Sequence, residues 1–351
     1  MSLQNTDNLP LITVLIPCYN AMPYLPLALD SLIHQSYTHL EILCINDGST
    51  DQTGEVLEQY AQRDNRIRVV HNETNIKLIA TLNKGIKLAS GEYIARMDAD
   101  DISFLNRISV QYQFLARNPH VDLISTVTVN INEKGDVLNH NLVRSTHHIS
   151  TLYASFFFQP IGHPDIMCKT SLLKNNLFST DVSAIHTEDY ELWCRLLHQG
   201  YVLQNIQLPL LYYRIHPKSV SRKFTGEQDN HYIQIANAYY AQYFKNHIPI
   251  TYSKVLANRI DQSVSWRTFI IAFSYLAQTE RQFLSQNPEQ APNVVREIRM
   301  ITKTHRMDIL IQSIKRGRLL IKLTSCFGLW LSVCDLLLYK EVRKYFFNKL
   351  R

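Results

Sequence analysis

The sequence lacks most of the motifs and segments that assign a chain to a class at once. Only six cysteines occur among 351 residues, and none of them forms a C-x-x-C pair. No Walker loop and no G-x-G-x-x-G is present, and nothing indicates a Ser-His-Asp triad. The first ten residues have neither a basic region nor an apolar run, so no signal peptide is predicted. We therefore expect a cytoplasmic protein with reduced, buried thiols.

The composition allows a large folded core, and the charge is unevenly distributed. Hydrophobic residues make up 46% of the chain and charged residues 19%, which excludes global disorder. Residues 1–230 carry 18 Lys and Arg against 23 Asp and Glu, a net charge of −5. Residues 231–351 carry 18 against 7, a net charge of +11. The basic last third predicts an anionic partner, either a membrane or a nucleic acid.

Strand and helix patterns alternate through the first 100 residues. Short apolar runs predict strands, amphipathic segments between them predict helices, and the βαβαβαβ order predicts a doubly wound, mostly parallel α/β sheet. The predicted strands are Leu11–Ile16, Leu40–Ile45, Ile67–His71 and Tyr93–Met97. Two further strands are predicted at Tyr201–Ile206 and Leu210–Ile215, and helices from about Asp229. We predict a catalytic domain over 1–228 and a helical, basic region over 229–351.

An acidic cluster follows the fourth predicted strand directly. Asp98, Asp100 and Asp101 stand within four positions after the apolar run that ends at Met97. Ligands bind outside the carboxyl ends of strands in open α/β sheets. Asp98 and Asp100 flank one small residue, so both can converge on a hard cation such as Mg²⁺ or Mn²⁺. The alternative is a polar turn without a ligand.

Two residues after the first and second strands have chemistry suited to a nucleotide. The Tyr19 ring is predicted at the sheet edge, where it can stack on a nucleobase or pack in an ordinary turn. Asp47 can accept hydrogen bonds from a base or a ribose. Ser49 or Thr50 is predicted to cap the helix that follows.

Three charged or titratable residues in the second half complete the candidate chemistry. Asp189, at the start of a helix, can act as a general base, or its charge can simply stabilise the helix by interacting with the helix dipole. Arg214 is suited to a diphosphate, and His216 can complete a metal shell or be an ordinary surface residue.

The candidate residues described above and their neighbours, in this order and spacing, resemble glycosyltransferase family 2 over about residues 11–222. The resemblance implies inverting enzymes with the GT-A fold. The matching segments are Val14–Asn20, Asn46–Asp51, Asn83-x-Gly85, Tyr93–Asp101 and Glu188–Trp193.

The resemblance implies a role for each candidate residue. Asp189 is the expected catalytic base. Mn²⁺ or Mg²⁺ is the expected cofactor, held by Asp98 and Asp100, with His216 as a further predicted ligand. The nucleotide-sugar donor is expected at Pro17, Tyr19, Asn20, Asp47, Arg96, Asp98 and Arg214. The acceptor is expected at His163, Glu188 and Trp193, although a core position is the favoured interpretation of Trp193.

The expected reaction is metal-dependent transfer of a sugar, with inversion, from a nucleotide diphosphate such as UDP. The expected acceptor is a saccharide or lipid-linked acceptor in surface polysaccharide or lipopolysaccharide assembly. One alternative is a nucleotidyltransferase, but the segment Pro17–Asn20 lacks its Gly-rich basic loop. The other alternative is a non-catalytic adaptor on the same fold.

The last third carries a predicted membrane contact. The apolar segment Leu323–Cys334 is shorter than the about 20 residues that a spanning helix needs. With its flanking cations it is predicted to lie on the inner face of the cell membrane. A subdomain packed on the catalytic unit and a homodimer surface are the alternatives. Its aromatic residues cluster with aliphatic ones rather than with cations, so no nucleic acid is expected.

Overall fold

The computed structural model describes residues 9–140, 145–217, 225–260, 264–315 and 319–320. They divide into two units. The first contains the chain up to His148 together with 161–228, and the second contains 149–160 and the chain from Asp229. The predicted segment Leu323–Cys334 lies outside the described residues.

Four strands alternate with three helices in the first half of the first unit. In chain order they are β1 (Ile12–Cys18), α1 (Leu25–Ile33), β2 (Leu40–Asn46), α2 (Thr53–Arg63), β3 (Ile67–His71), α3 (Leu78–Leu88) and β4 (Tyr93–Arg96). The strands pair in parallel in the order β3-β2-β1-β4. Val14 packs in one cluster with Leu29 of α1, whereas Leu15 lies against Gly85 of α3. Helices thus cover both faces of β1, which explains why its residues other than Thr13 are apolar. The parallel pairing confirms the predicted parallel sheet.

The remaining elements of the first unit extend this sheet. In chain order they are β5 (Ile102–Ser103), α4 (Arg107–Arg117), β6 (Leu123–Ile131), β7 (Val137–His140), α5 (His148–Ser155), β8 (Met167–Lys169), α6 (Thr170–Asn175), α7 (Glu188–His198) and β9 (Leu203–Arg214). The sheet order is β3-β2-β1-β4-β8-β6-β9-β5, with β7 paired to β6. Strand β8 is antiparallel to both of its neighbours, and β6 runs parallel to β9. The sheet is therefore mostly parallel, with antiparallel insertions.

The prediction of two strands between Tyr201 and Ile215 was wrong. A single strand, β9, covers this stretch and pairs with β6 along its length. Pro209 lies within β9 and pairs with Val127 at a point where the register shifts on both sides. Such irregularities accommodate a residue that cannot donate to the ladder.

The predicted cap of α2 was also wrong. Helix α2 begins at Thr53, and its N-cap position is held by Gln52 rather than by Ser49 or Thr50. The Ser49 hydroxyl accepts instead from the backbone N–H of Asn20, at 3.0 Å. The loop before α2 is therefore tied to the loop after β1.

Gly48 occupies a position that only glycine suits, and its substitution tests this. Its φ is +63°, and a Cβ there would lie 2.6 Å from the backbone carbon of Thr74. Gly135, with φ +92°, has nothing within 4 Å of its own added Cβ. A left-handed alanine costs about 1–2 kcal/mol at either site. We expect Gly48→Ala to lower the free energy of unfolding by about 1–3 kcal/mol more than Gly135→Ala, because of the clash.

The measurement for both glycine variants is urea denaturation. Equal losses of unfolding free energy would contradict the proposed close contact between Gly48 and Thr74.

The second unit is mainly helical and rich in aromatic contacts. It contains most of α5 and, from Asp229 on, the helix α8 (Thr225–Phe244). The elements that follow are α9 (Ile250–Leu256), β10 (Val264–Ser265), α10 (Trp266–Gln286), α11 (Pro292–Lys315) and β11 (Leu319–Leu320). The Phe156 ring packs against Tyr240, Phe244 and Phe283. Among the described residues of the whole chain, we find no helix with the length and apolarity needed to cross a membrane.

Candidate active site

The carboxyl end of β1 presents an aromatic ring to solvent. Tyr19 follows β1 directly and is 50% exposed, whereas Pro17 is buried within the strand. Asn20 adopts a left-handed backbone with φ +48°. Its side-chain Oδ1 accepts from the N–H of Thr50 at 2.8 Å. Asn20 therefore fixes the loop on which Tyr19 stands.

Asp47, at the carboxyl end of β2, organises the loop between β3 and α3. It is only 3% exposed. Its Oδ1 accepts from Asn72 Nδ2 and from the N–H of Ile76, both at 2.8 Å. Its Oδ2 accepts from the N–H of Lys77 at 3.0 Å. The hydrogen bonds that the sequence assigned to a nucleobase are thus at least partly made with the protein itself.

The acidic cluster lies together at the end of β4. One carboxylate oxygen from each of Asp98, Asp100 and Asp101 lies within 4.8 Å of the others. Asp98 also forms a two-pronged ion pair with Arg96, in which Nη1 lies 2.9 Å from Oδ2. Loss of water around Asp98 raises its pKa to about 6; the Arg96 charge opposes this rise and the nearby Asp100 charge adds to it.

Asp101 and Arg214 form the buried base of this cluster. Asp101 Oδ1 accepts from the N–H of Arg214 at 2.8 Å. Burial, reinforced by the charge of Asp100, holds the pKa of Asp101 well above its usual range. Arg214 is 2% exposed, and its Nε donates to the carbonyl of Asp100 at 2.8 Å. Its Nη1 donates to the carbonyls of Asn132 and Glu133. Arg214, predicted to contact the donor, therefore fastens the acidic loop to the end of β9.

His216 completes the cluster from the segment after β9. Its Nε2 donates to Asp100 Oδ2 at 2.8 Å. The structure thus places His216 against Asp100, whereas the ligand atoms that converge come from Asp98, Asp100 and Asp101.

The residues of the cluster fit a hard divalent cation. Carboxylate oxygens are the ligands that Mg²⁺ and Mn²⁺ prefer. Three of them converge here, and Asp101 Oδ2 is buried with no hydrogen-bond partner among the described residues. Repulsion between the acids, evident in the raised pKa of Asp98, is what a bound cation would relieve.

Asp189 faces this cluster from the start of α7. Its charge contributes to the raised pKa of Asp98, so the two carboxylates interact electrostatically. Glu188, beside it, is buried, and burial followed by the charge of Asp189 raises the pKa of Glu188 to about 7. His163 Nδ1 lies 3.7 Å from Asp189 Oδ2. Asp189 therefore lies beside a buried imidazole, and its charge acts on Asp98.

His163 is a neutral imidazole within an aromatic group. Burial, with the Arg96 charge as the second cause, holds its pKa well below the usual range. Its ring centroid lies 5.4 Å from that of Phe178 and 6.2 Å from that of Trp193. Trp193 is 0% exposed, so it is a core residue and has no ring face for an acceptor sugar. We remove Trp193 from the predicted acceptor contacts.

Arg107, which was not predicted from the sequence, supports the site through a series of buried hydrogen bonds. It is fully buried, and burial lowers its pKa to about 10. Its Nη2 donates to the carbonyl of Arg96, and its Nε to Gln111 Oε1 at 3.0 Å. Gln111 Nε2 in turn donates to the carbonyl of Asp165 at 2.6 Å. These hydrogen bonds join the end of β4 to the loop that carries His163. The four-residue spacing of Arg107 and Gln111, which places them on one face of α4, was the signal for this contact in the sequence.

Comparison with known proteins decides the family. Residues 13–180 match the family model described as glycosyl transferase family 2. Over 234 residues the chain is 32% identical to an uncharacterized glycosyltransferase of Haemophilus influenzae, covering 64% of this chain and 71% of that protein. The chain belongs to glycosyltransferase family 2.

Two further comparisons describe this glycosyltransferase. It is 29% identical over 232 residues to the O-antigen biosynthesis glycosyltransferase WbnJ of Escherichia coli, covering 63% of this chain and 85% of WbnJ. Its fold matches the mannosyltransferase PcManGT of Pyrobaculum calidifontis, solved with GDP-Man and Mn²⁺. The TM-score is 0.53 at 18% identity, covering 97% of this chain and 84% of that chain. The predicted GT-A fold and enzyme class are confirmed, and the nucleotidyltransferase and adaptor alternatives are set aside.

Proposed function

We propose that this glycosyltransferase moves a sugar from a nucleotide-diphosphate donor to a saccharide or lipid-linked acceptor, with inversion and with a divalent cation. The observation that carries the proposal is the convergence of Asp98, Asp100 and Asp101 within 4.8 Å at the end of β4, with the charge of Asp189 acting on Asp98. The proposed metal site and the candidate base are thus coupled electrostatically.

The donor nucleotide is proposed to lie along the ends of β1, β2 and β4. The half-exposed ring of Tyr19 supports stacking of the base, an interaction worth about 1–3 kcal/mol. The loop that Asp47 holds from Asn72 to Lys77 is proposed to form the wall beside that base. Asp98 and Asp100, with His216, are proposed to hold the cation.

Charge develops on the leaving diphosphate as the bond from the anomeric carbon to the phosphate oxygen breaks. A bound divalent cation would stabilise that charge as a Lewis acid. The protein's own part is orientation. Arg96 holds Asp98 by two hydrogen bonds, and Arg214 holds the backbone of Asp100. These buried contacts fix the carboxylates before the reaction, which is how preorganised groups lower a barrier.

Asp189 is proposed to take the proton of the attacking hydroxyl. The acceptor oxygen then bonds to the anomeric carbon on the face opposite the diphosphate, which leaves with the bonding electron pair. One such displacement inverts the configuration. Glu188, beside Asp189 and with its pKa raised to about 7 by burial, is proposed to hydrogen-bond the acceptor.

The proposed setting is bacterial surface polysaccharide assembly, which is supported by the similarity to WbnJ. The sugar and the linkage are open to experiment, as is the nucleobase, for which the family resemblance implies uracil.

A ligand screen tests the proposal directly. UDP-, GDP- and dTDP-sugars are added with and without Mn²⁺, and the thermal unfolding midpoint is measured. The correct donor with Mn²⁺ should stabilise the protein by about 2.7 kcal/mol at a hundredfold excess over its Kd. The same nucleotide sugar without Mn²⁺ is the control and should stabilise it less. If no nucleotide sugar raises the midpoint under either condition, the donor assignment is wrong.

A further inference from the structure

Tyr24 contacts two side chains that hold the acidic loop. It precedes α1 directly, on the same loop as Tyr19 and Asn20. The Arg214 guanidinium carbon lies 4.5 Å from the centroid of its ring. The His216 ring centroid lies 5.4 Å away, with an angle of 41° between the planes. One aromatic ring therefore packs against both residues.

These two contacts lead to the same residue, Asp100. Arg214 Nε donates to its backbone carbonyl, and His216 Nε2 donates to its carboxylate Oδ2, both at 2.8 Å. The face of an aromatic ring attracts a guanidinium, and more strongly when water is excluded. Arg214 is almost fully buried, so solvent does not screen this attraction. The Tyr24 ring is thus in a position to determine where both supports of Asp100 lie.

We infer that Tyr24 is a positioning residue that sets Asp100 for the divalent cation, acting through Arg214 and His216. The inference rests on the proposed function, because the proposed metal site includes Asp100. Tyr24 and Tyr19 are five positions apart on one loop, and Asn20, between them, anchors that loop to Thr50. One loop therefore carries both Tyr19, on which the nucleobase is proposed to stack, and Tyr24, which supports the residues around Asp100 at the proposed metal site.

Two substitutions separate the ring face from the rest of the side chain. Tyr24→Phe keeps the aromatic face and removes only the hydroxyl. Tyr24→Leu keeps much of the apolar volume and removes the ring. We expect Tyr24→Phe to bind Mn²⁺ as the wild type does, and Tyr24→Leu to bind it about tenfold more weakly, the loss that an unscreened cation–π contact predicts.

Mn²⁺ binding is measured by electron paramagnetic resonance of the free ion, with UDP and separately with GDP. This readout does not depend on turnover. Tyr60→Leu is the matched control, since Tyr60 also carries an arginine over its ring, Arg63 at 5.7 Å, but on α2, outside the acidic cluster. Tyr60→Leu should leave Mn²⁺ binding unchanged. If Tyr24→Leu does not fold, Tyr24→Met, whose flexible chain fills irregular space, replaces it with the same expected loss.

The outcomes distinguish this inference from the proposed function. If the wild type binds Mn²⁺ and Tyr24→Leu binds it equally well, Tyr24 does not position Asp100 and the proposed metal site stands. If Tyr24→Phe loses as much affinity as Tyr24→Leu, the hydroxyl rather than the ring face is responsible, and the inference is overturned. If the wild type itself binds no Mn²⁺ with either nucleotide, the metal dependence fails and the role of Tyr24 fails with it.

Discussion

Asp189→Asn is expected to lower kcat by about 10²–10⁴-fold, the usual contribution of a general base. The amide has the shape of the carboxylate but cannot accept the proton of the acceptor hydroxyl. Asp189 opens α7 beside His163 and acts electrostatically on Asp98, so its carboxylate is next to the proposed metal site. The measurement is steady-state transfer from the donor identified by the ligand screen, with donor affinity measured separately.

The matched control for the base is Glu188→Gln. Glu188 is adjacent in sequence, is buried with a pKa raised to about 7, and is proposed to hydrogen-bond the acceptor, a role that its amide can keep. We expect it to cost much less kcat than Asp189→Asn. The reverse order of effects would make Glu188 the base.

The same pair of residues offers a test that does not involve turnover. The charge of Asp189 is the second cause of the raised pKa of Glu188, after burial. Asp189→Asn should therefore lower the pKa of Glu188 below about 7, which an NMR titration of the Glu188 carboxyl can follow. An unchanged titration would mean that the two carboxylates are farther apart than the structure places them.

Asp100→Ala is expected to abolish Mn²⁺-dependent transfer, with a loss in kcat/KM of at least about 10²–10³-fold. Asp100 supplies a carboxylate to the cluster and accepts from His216. Its charge also raises the pKa of both Asp98 and Asp101, so its removal relieves repulsion within the cluster. The unfolding midpoint without metal should therefore stay the same or rise, which separates loss of function from loss of fold.

Asp136→Ala is the control for Asp100→Ala. Asp136 is an exposed carboxylate of the β6–β7 turn that accepts from Asn132 Nδ2. Its removal is expected to change transfer by less than about twofold. Full activity of Asp100→Ala with the donor and Mn²⁺ would exclude Asp100 from the metal site.

Local sequence patterns were sufficient for the parallel half of the sheet. The strand Ile67–His71 was predicted with the bounds that the structure has. The buried runs of β1 and β2 were visible because a strand covered on both faces is apolar at most of its positions. The end of the apolar run at Met97 also indicated where the acidic cluster lies, since a parallel strand delivers the residues that follow it to the carboxyl edge.

Patterns of this kind say which positions are buried but not what they meet. Arg214 looked like a free cation for a diphosphate, yet it lies buried against a loop more than a hundred residues earlier in the chain. Trp193 looked like a candidate for a sugar contact and is a core residue. The stretch from Tyr201 to Ile215 looked like two strands, and pairing with β6 allows the single strand β9 to run through it. Each depended on a partner that is distant in sequence.

By itself, the sequence determined the order of the first four strands, the place of the acidic cluster and the family. The first two follow from residues that are close together along the chain, and the family follows from the order and spacing of segments between Val14 and Trp193. Only the tertiary structure decided that β8 enters the sheet antiparallel, that Asp47 organises its own loop, and that Tyr24 lies over Arg214 and His216. The physical reason is that hydrogen bonds and ring contacts between distant segments depend on how the sheet is assembled, and hydrophobic periodicity carries no information about those pairings.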